Sequence, residues 1–301
     1  MKIGIDIGGS HIGVGIVNDK GKIVSKKEQD LKFDKDMKEV DIKQYIRDTI
    51  ITNISEVLRT VGSPICLINK IGIATPGRVK NGVIKNAFNL GIREINLAKE
   101  LEEYYGVPIT VRNDAKCAGI AEKKFGALTF YEDAVFLCIG TGIGGATFYG
   151  GSLVEPKRNE GSEYGHMIIK KDGNVCKCGN RGCFETYCSM KSFKKQIIEN
   201  FDLEESTNSK EILEFVKNRF TNSKINDIID LYIDDLILGI SNIVNIAEPE
   251  IICFGGSFVH YKEVLFNRLV QRLQNTAYNF DVPKLVLGTL GNDAGMIGAA
   301  I

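Results

Sequence analysis

The chain has 301 residues, long for one compact core and comfortable for two α/β lobes. Lysine plus arginine and aspartate plus glutamate both count 38, within an ordinary globular balance of 44% hydrophobic and 25% charged residues. That neutrality excludes a positive field able to gather nucleic acid or anionic membrane, and no run of about eighteen apolar residues offers a membrane span.

The opening alternates small and β-branched residues over 2–7 and 12–17, then turns through Asn18-Asp19-Lys20-Gly21 into Lys22–Ser25, which predicts a three-stranded meander. Asp6 and Gly8-Gly9 interrupt its apolar run and no small-residue cleavage site follows, so a signal peptide is not expected. Ile42, Tyr45, Ile46, Ile50, Ile54, Val57 and Leu58 recur on a helical period that Gly62 and Pro64 end. Lys70–Ala74 reads as a buried strand leading into Thr75-Pro76-Gly77-Arg78. A helix over Leu97–Tyr105 has Asn96 to cap it and Gly106 just past its end. Val107–Arg112 is the next strand, running into Asn113-Asp114. Ala134–Ile139 and Gly145–Tyr149 flank a Gly-rich turn and repeat the opening pattern, which predicts a duplicated architecture. The stretch from Glu185 to Ala247 is mostly helical, Glu250–Phe254 is a core strand before Gly255-Gly256-Ser257, and a Gly-Ala-rich helix closes the chain over Gly291–Ile301.

Four features carry chemistry. Asp6, Gly8, Gly9 and Ser10, with His11 beside them, follow the first strand. Glycine lets backbone N–H groups approach a phosphate and a carboxylate there can hold Mg2+, although a tight hairpin would look the same. Gly140, Thr141, Gly142 and the two glycines after Ile143 form a second such turn, and Gly255-Gly256 a third. Asp114 fits either the carboxylate that accepts a hydroxyl proton during phosphoryl transfer or the N-cap of a helix starting at Ala115. His166, Cys176, Cys178 and Cys183 offer three thiolates and one imidazole, a complete tetrahedral set for a structural zinc ion. Four of the eight cysteines fall within 176–188, which suits a local metal site in a reducing compartment, the cytoplasm, better than a disulfide framework. Cys188 is expected to be a packed thiol.

Together the N-terminal DIGGS, the TPGR stretch, the NDA triplet, GTGIGG, EYGH with CxCGxxGCxE, EPEIICFGG and the terminal GNDAGMIGAA resemble the ROK family of sugar kinases and repressors along the whole chain. The resemblance implies an actin-like, hexokinase-like ATPase fold of two related α/β lobes around a cleft. The expected boundaries are 1–115 plus 289–301 for the smaller lobe and 116–288, with a zinc loop over 163–185, for the larger. It implies Asp114 as catalytic base, with Asn113, Glu163, His166 and Glu185 on sugar hydroxyls and Gly77, Asn89 and Gly142 lining the pocket. His166 would then serve zinc with one ring nitrogen and sugar with the other. The implied activity is transfer of the γ-phosphate of ATP, with Mg2+, to the 6-hydroxyl of a hexose, glucose first and N-acetylmannosamine second. A non-catalytic sugar sensor is the remote alternative. The family's repressors carry a winged helix-turn-helix ahead of this region. With the first strand at Lys2, the expectation is a homodimeric enzyme binding sugar and ATP, without nucleic acid or membrane.

Overall fold

A computed structural model describes residues 1–33, 36–156, 161–274 and 282–301. They gather into two compact units, one of Met1–Phe130, Glu155–Gly161 and Asn292–Ile301, the other of Tyr131–Val154 and Ser162–Gly291.

In the first unit, β1 (Lys2–Ile7), β2 (His11–Val17) and β3 (Ile23–Asp30) form the expected meander, with the third strand longer than its apolar part. Helix α1 (Glu39–Thr60) buries Ile46, Ile50 and Ile54, the stripe its period selects. After β4 (Lys70–Thr75) come three short strands that the sequence reading left out: β5 (Arg78–Lys80), β6 (Val83–Ala87) and β7 (Ile92–Ile95), a separate antiparallel sheet. Asn81 and Gly82 turn its first hairpin with both φ angles positive, as a two-residue Asn-Gly loop requires. Helix α2 (Leu97–Tyr105) starts where the Asn96 side chain accepts from the Lys99 N–H and ends at left-handed Gly106. Strand β8 (Ile109–Asn113) runs directly into α3 (Asp114–Phe125). The main sheet has the order β3-β2-β1-β4-β8, with β1, β4 and β8 parallel. Ile3, Ile5, Ile71 and Ile73 are buried, as expected for parallel strands covered on both faces.

The second unit has β9 (Ala134–Ile139), β10 (Ile143–Tyr149) and the short β11 (Ser152–Leu153). Helices α4 (Glu185–Cys188), α5 (Met190–Asn200), α6 (Ser209–Lys217) and α7 (Ser223–Ala247) follow, then β12 (Ile251–Gly255), α8 (Asn267–Gln274) and β13 (Lys284–Leu287). Its sheet order, β11-β10-β9-β12-β13, repeats that of the first unit strand for strand, three antiparallel and then two joined in parallel. The duplication legible in the Gly-rich turns is therefore one of whole sheets.

The last helix, α9 (Ala294–Ala299), returns to the first unit and is shorter than the Gly-Ala run, because residues 291–293 form a 3-10 turn. A side chain at Gly72 would lie 1.7 Å from the Ala299 carbonyl oxygen, and one at Gly298 would lie 1.7 Å from that of Cys117. Glycine at both positions lets α9 touch backbone on β4 and α3. Among the described residues, no helix is long and apolar enough to cross a membrane.

Candidate active site and metal centre

Parallel strands bring their carboxyl ends to one edge, where ligands of open α/β sheets bind. In the first unit, register pairs Asp6 of β1 with Ala74 of β4, and Thr75 of β4 with Asn113 of β8, so both polar residues stand at that edge. Asn113, not Asp114, is the N-cap of α3: its Oδ1 accepts from the N–H groups of Ala115 (3.1 Å) and Lys116 (3.4 Å). Its Nδ2 donates to the Gly77 carbonyl at 3.3 Å, tying α3 to the loop after β4. Asp114 is the first helical residue, with Oδ1 2.7 Å from the Ala115 nitrogen. The Gly8-Gly9 turn closes by the Gly8 N–H on the His11 carbonyl (2.8 Å), the His11 ring lies over Gly8, and Gly9 faces Asn89.

Asp6 is the electrostatic oddity. Burial raises its pKa to about 7, Asp114, Asp293 and Glu28 add to the rise, and Lys26 opposes it. Lys26 itself is engaged by Asp293 (2.6 Å) and Glu28 (2.7 Å). Gly295 keeps α9 clear of the carboxylate, since a Cβ there would lie 2.6 Å from Asp6 Oδ2. Carboxylates gathered with too little positive charge suit a divalent cation, and hard oxygen donors are what Mg2+ takes. Asp293, Lys26 and Glu28 were not foreseen. The only sequence signal was Asp293 inside GNDAGMIGAA.

In the second unit, the turn Gly140–Gly142 follows β9 and the turn at Gly255-Gly256 follows β12, adjacent and parallel. The Gly140 N–H donates to the Gly142 carbonyl (2.9 Å), and the Met190 N–H to the Gly140 carbonyl (2.9 Å), which fixes α5 to the turn. Thr141 is exposed at its tip. Gly142 faces Glu185, whose Oε2 is 2.7 Å from where a side chain would start. Glu163 is exposed and precedes the 3-10 turn Tyr164–His166, which Tyr164 anchors by its hydroxyl to Thr147 Oγ1 (2.7 Å).

The second unit also gathers His166, Cys176, Cys178 and Cys183, whose donor atoms all lie within 4.8 Å of one another. Cys178 Sγ to Cys183 Sγ is 3.6 Å and Cys176 Sγ to His166 Nδ1 is 3.7 Å. A tetrahedral zinc with Zn–S of about 2.3 Å and Zn–N of about 2.0–2.1 Å requires edges of about 3.5–3.8 Å, so set and spacing fit. Burial pushes the Cys176 thiol well above the usual range and raises that of Cys183. At Cys178 burial acts upward too, but the Asn180 N–H and the neighbouring thiols outweigh it and lower the pKa. A divalent ion would favour the thiolate of all three. Glu185 Oε1 is 3.1 Å from Cys176 Sγ and 3.8 Å from His166 Nδ1, so the cluster, Glu185 and Gly142 are contiguous. Cys188 stays outside, buried with its sulfur 3.9 Å from the Tyr232 carbonyl.

One support went unforeseen. Lys170 reaches Asp235 of α7 at 2.8 Å and sits 4.4 Å over the Tyr187 ring, while the Tyr187 hydroxyl accepts from the Asn174 N–H at 2.7 Å. Its sequence signal was an aspartate on the apolar stripe of α7.

Comparison with known proteins agrees along the whole chain. The model of the ROK family matches residues 2–301. A glucokinase from Thermotoga maritima is 29% identical, over 99% of this chain and 95% of its own length. A xylose repressor from Bacillus spizizenii is also 29% identical, over 98% of this chain and 75% of its own length. The crystal structure of a ROK hexokinase from Thermus thermophilus superposes with a TM-score of 0.79 at 26% identity, over 99% of this chain and 96% of that one. The fold is thus the actin-like ATPase architecture expected from the motifs.

Proposed function

The chain belongs to the ROK family, and from that premise we propose that it is an ATP-dependent sugar kinase that phosphorylates the 6-hydroxyl of a hexose, with glucose as acceptor. The observation that carries the reading is the Asn113-Asp114 pair. It stands at the carboxyl edge of parallel strands, with Asn113 fixed to Gly77 and Asp114 at a helix N-terminus.

The acceptor oxygen attacks the γ-phosphorus, the bond to the β-phosphate bridging oxygen breaks, and ADP leaves with that electron pair. Asp114 takes the hydroxyl proton as the new bond forms. Asn113, Glu163, His166 and Glu185 would orient the sugar, with Gly77, Asn89 and Gly142 beside it. Orientation of this kind accounts for much of the rate where little covalent chemistry falls to the protein. The turns at Gly8-Gly9-Ser10-His11, Gly140-Thr141-Gly142 and Gly255-Gly256 would face phosphates with backbone N–H groups. Asp6 would hold the Mg2+ that arrives with ATP, which would supply positive charge against the transferring phosphoryl group.

Zinc on His166, Cys176, Cys178 and Cys183 would supply order rather than a reacting group, since four protein donors leave no open position. It would hold the His166 ring and, through the loop, Glu185. We further propose a smaller lobe built on 1–115 and 289–301, a larger one on 116–288, and a homodimeric cytoplasmic enzyme.

A second reading, a sugar sensor without turnover, is supported by the similarity to a xylose repressor. Mg-ATP-dependent ADP release, measured across hexoses and N-acetylhexosamines, separates the readings. Turnover with glucose is expected. Turnover with N-acetylmannosamine alone would move the acceptor. No turnover with any sugar, alongside intact sugar binding, would replace the kinase with the sensor.

A further inference from the structure

A cavity of about 520 Å³ lies within the first unit, between the β5–β6 hairpin, the end of β8, the first turn of α3 and Glu155-Pro156. It shares only Asn113 with the candidate acceptor residues. Its wall carries Arg78, Lys80, Lys85, Arg112 and Lys116 against a single carboxylate, Glu155. In a chain whose charges balance overall, this is a strong local excess. Arg112 approaches Glu155 at 3.5 Å, and Lys85 reaches out to Glu94 at 2.9 Å. Arg78 and Lys80 form no ion pair among the described residues. Lys116 is 4% exposed, so part of the positive lining is built into the fold rather than waving in solvent.

The polar complement is specific as well. Asn81, Asn86 and Asn113 line the same space, and an amide can both donate to and accept from hydroxyls. Two guanidinium forks with lysine ammonium groups match a phosphate. The volume falls within the range of small-molecule sites, roughly 300–1,000 Å³, and exceeds what one inorganic phosphate fills.

We propose that this pocket is a separate binding site for a phosphorylated sugar, its phosphate on the cationic wall and its hydroxyls on the Asn81 and Asn86 amides. Because Asn113 caps α3 and holds Gly77, an occupant that engages its amide draws it from those partners and weakens the acceptor site. This last step rests on the kinase reading; the binding itself does not. A phosphorylated sugar is also the class of product that reading gives, so the pocket would act as feedback.

The test is titration calorimetry of the full chain with glucose 6-phosphate while a non-hydrolysable ATP analogue saturates the nucleotide site, first without glucose and then with glucose saturating the acceptor site, where the coupling should weaken the binding without abolishing it. The expected result is saturable binding, at least tenfold tighter than inorganic phosphate. It should weaken about tenfold in a Lys80→Ala, Lys85→Ala double variant whose turnover is unchanged. Absence of binding under these conditions, inorganic phosphate binding as tightly as the ester, or wild-type affinity in the variant would each overturn the assignment. Failure of the kinase reading would show instead in ADP release, with this binding intact.

Discussion

At the carboxyl edge of the first unit's sheet, Asp6 is partly buried beside Asp114 and Asp293, and its pKa rises to about 7. The second unit repeats the strand order, but that edge holds glycine turns closed by backbone hydrogen bonds, and α4 follows a loop gathered on three sulfurs and an imidazole. The same framework therefore keeps charge at odds with its surroundings in one copy and closes its turns by backbone hydrogen bonds in the other. Under the proposed function, this is the corner that a cation and a phosphate would enter. The difference has a sign: removing a carboxylate from the first corner should relieve the fold, and removing a donor from the second should damage it.

The largest effect expected is on chemistry. Asp114→Asn should lower turnover about 10³–10⁴-fold while sugar binding by calorimetry stays within threefold, the mark of a lost general base. Turnover within tenfold of wild type would remove Asp114 from that role. Next comes the metal loop: one zinc per chain by elemental analysis is expected, lost in Cys178→Ser with a fall in Tm of about 10 °C and a raised sugar KM. Wild-type Tm and KM in a zinc-free chain would make the two corners equivalent and break the contrast.

Smaller again is the ion pair behind that loop. With Asp235 almost fully buried and Lys170 a third exposed, Lys170→Met should cost about 2 kcal/mol in denaturant unfolding, because it strands a carboxylate. A Lys170→Met, Asp235→Leu double variant should recover most of it. A double variant no better than the single would mean the pair is not the cause.

The smallest effect has the opposite sign. Well below the ordinary aspartate value of 3.8, Asp6 is neutral in both folded and unfolded chains. As pH rises from there through its folded value of about 7, the unfolded chain ionises first and stability is lost. Asp6→Asn should therefore gain about 1–2 kcal/mol at pH 8 and almost nothing at about pH 3 while activity falls. A loss at pH 8 would show that the corner is not strained.

Much of this was legible in sequence because local rules decide it. Asn96 and Gly106 bound α2 by capping chemistry, and the spacing of Cys176, Cys178 and Cys183 foretells a cluster of thiols within one loop. Asn113 as the true cap was harder to see, since Asn and Asp cap equally well and only backbone geometry separates neighbours. The β5–β7 sheet was missed although Asn81-Gly82 is a hairpin signal, because its strands are three to five residues long and only partly apolar. Asp293 beside Asp6 and Lys170 on Asp235 join residues 287 and 65 positions apart, and no local pattern encodes such pairs.

Phosphorus NMR of ATP, Mg2+ and glucose with the wild-type chain, set beside Asp114→Asn, tests the central claim most directly. The account predicts a sugar monophosphate resonance growing in step with ADP for the wild type and almost none for the variant. ADP and inorganic phosphate without a sugar ester, or the same ester from both proteins, would contradict it.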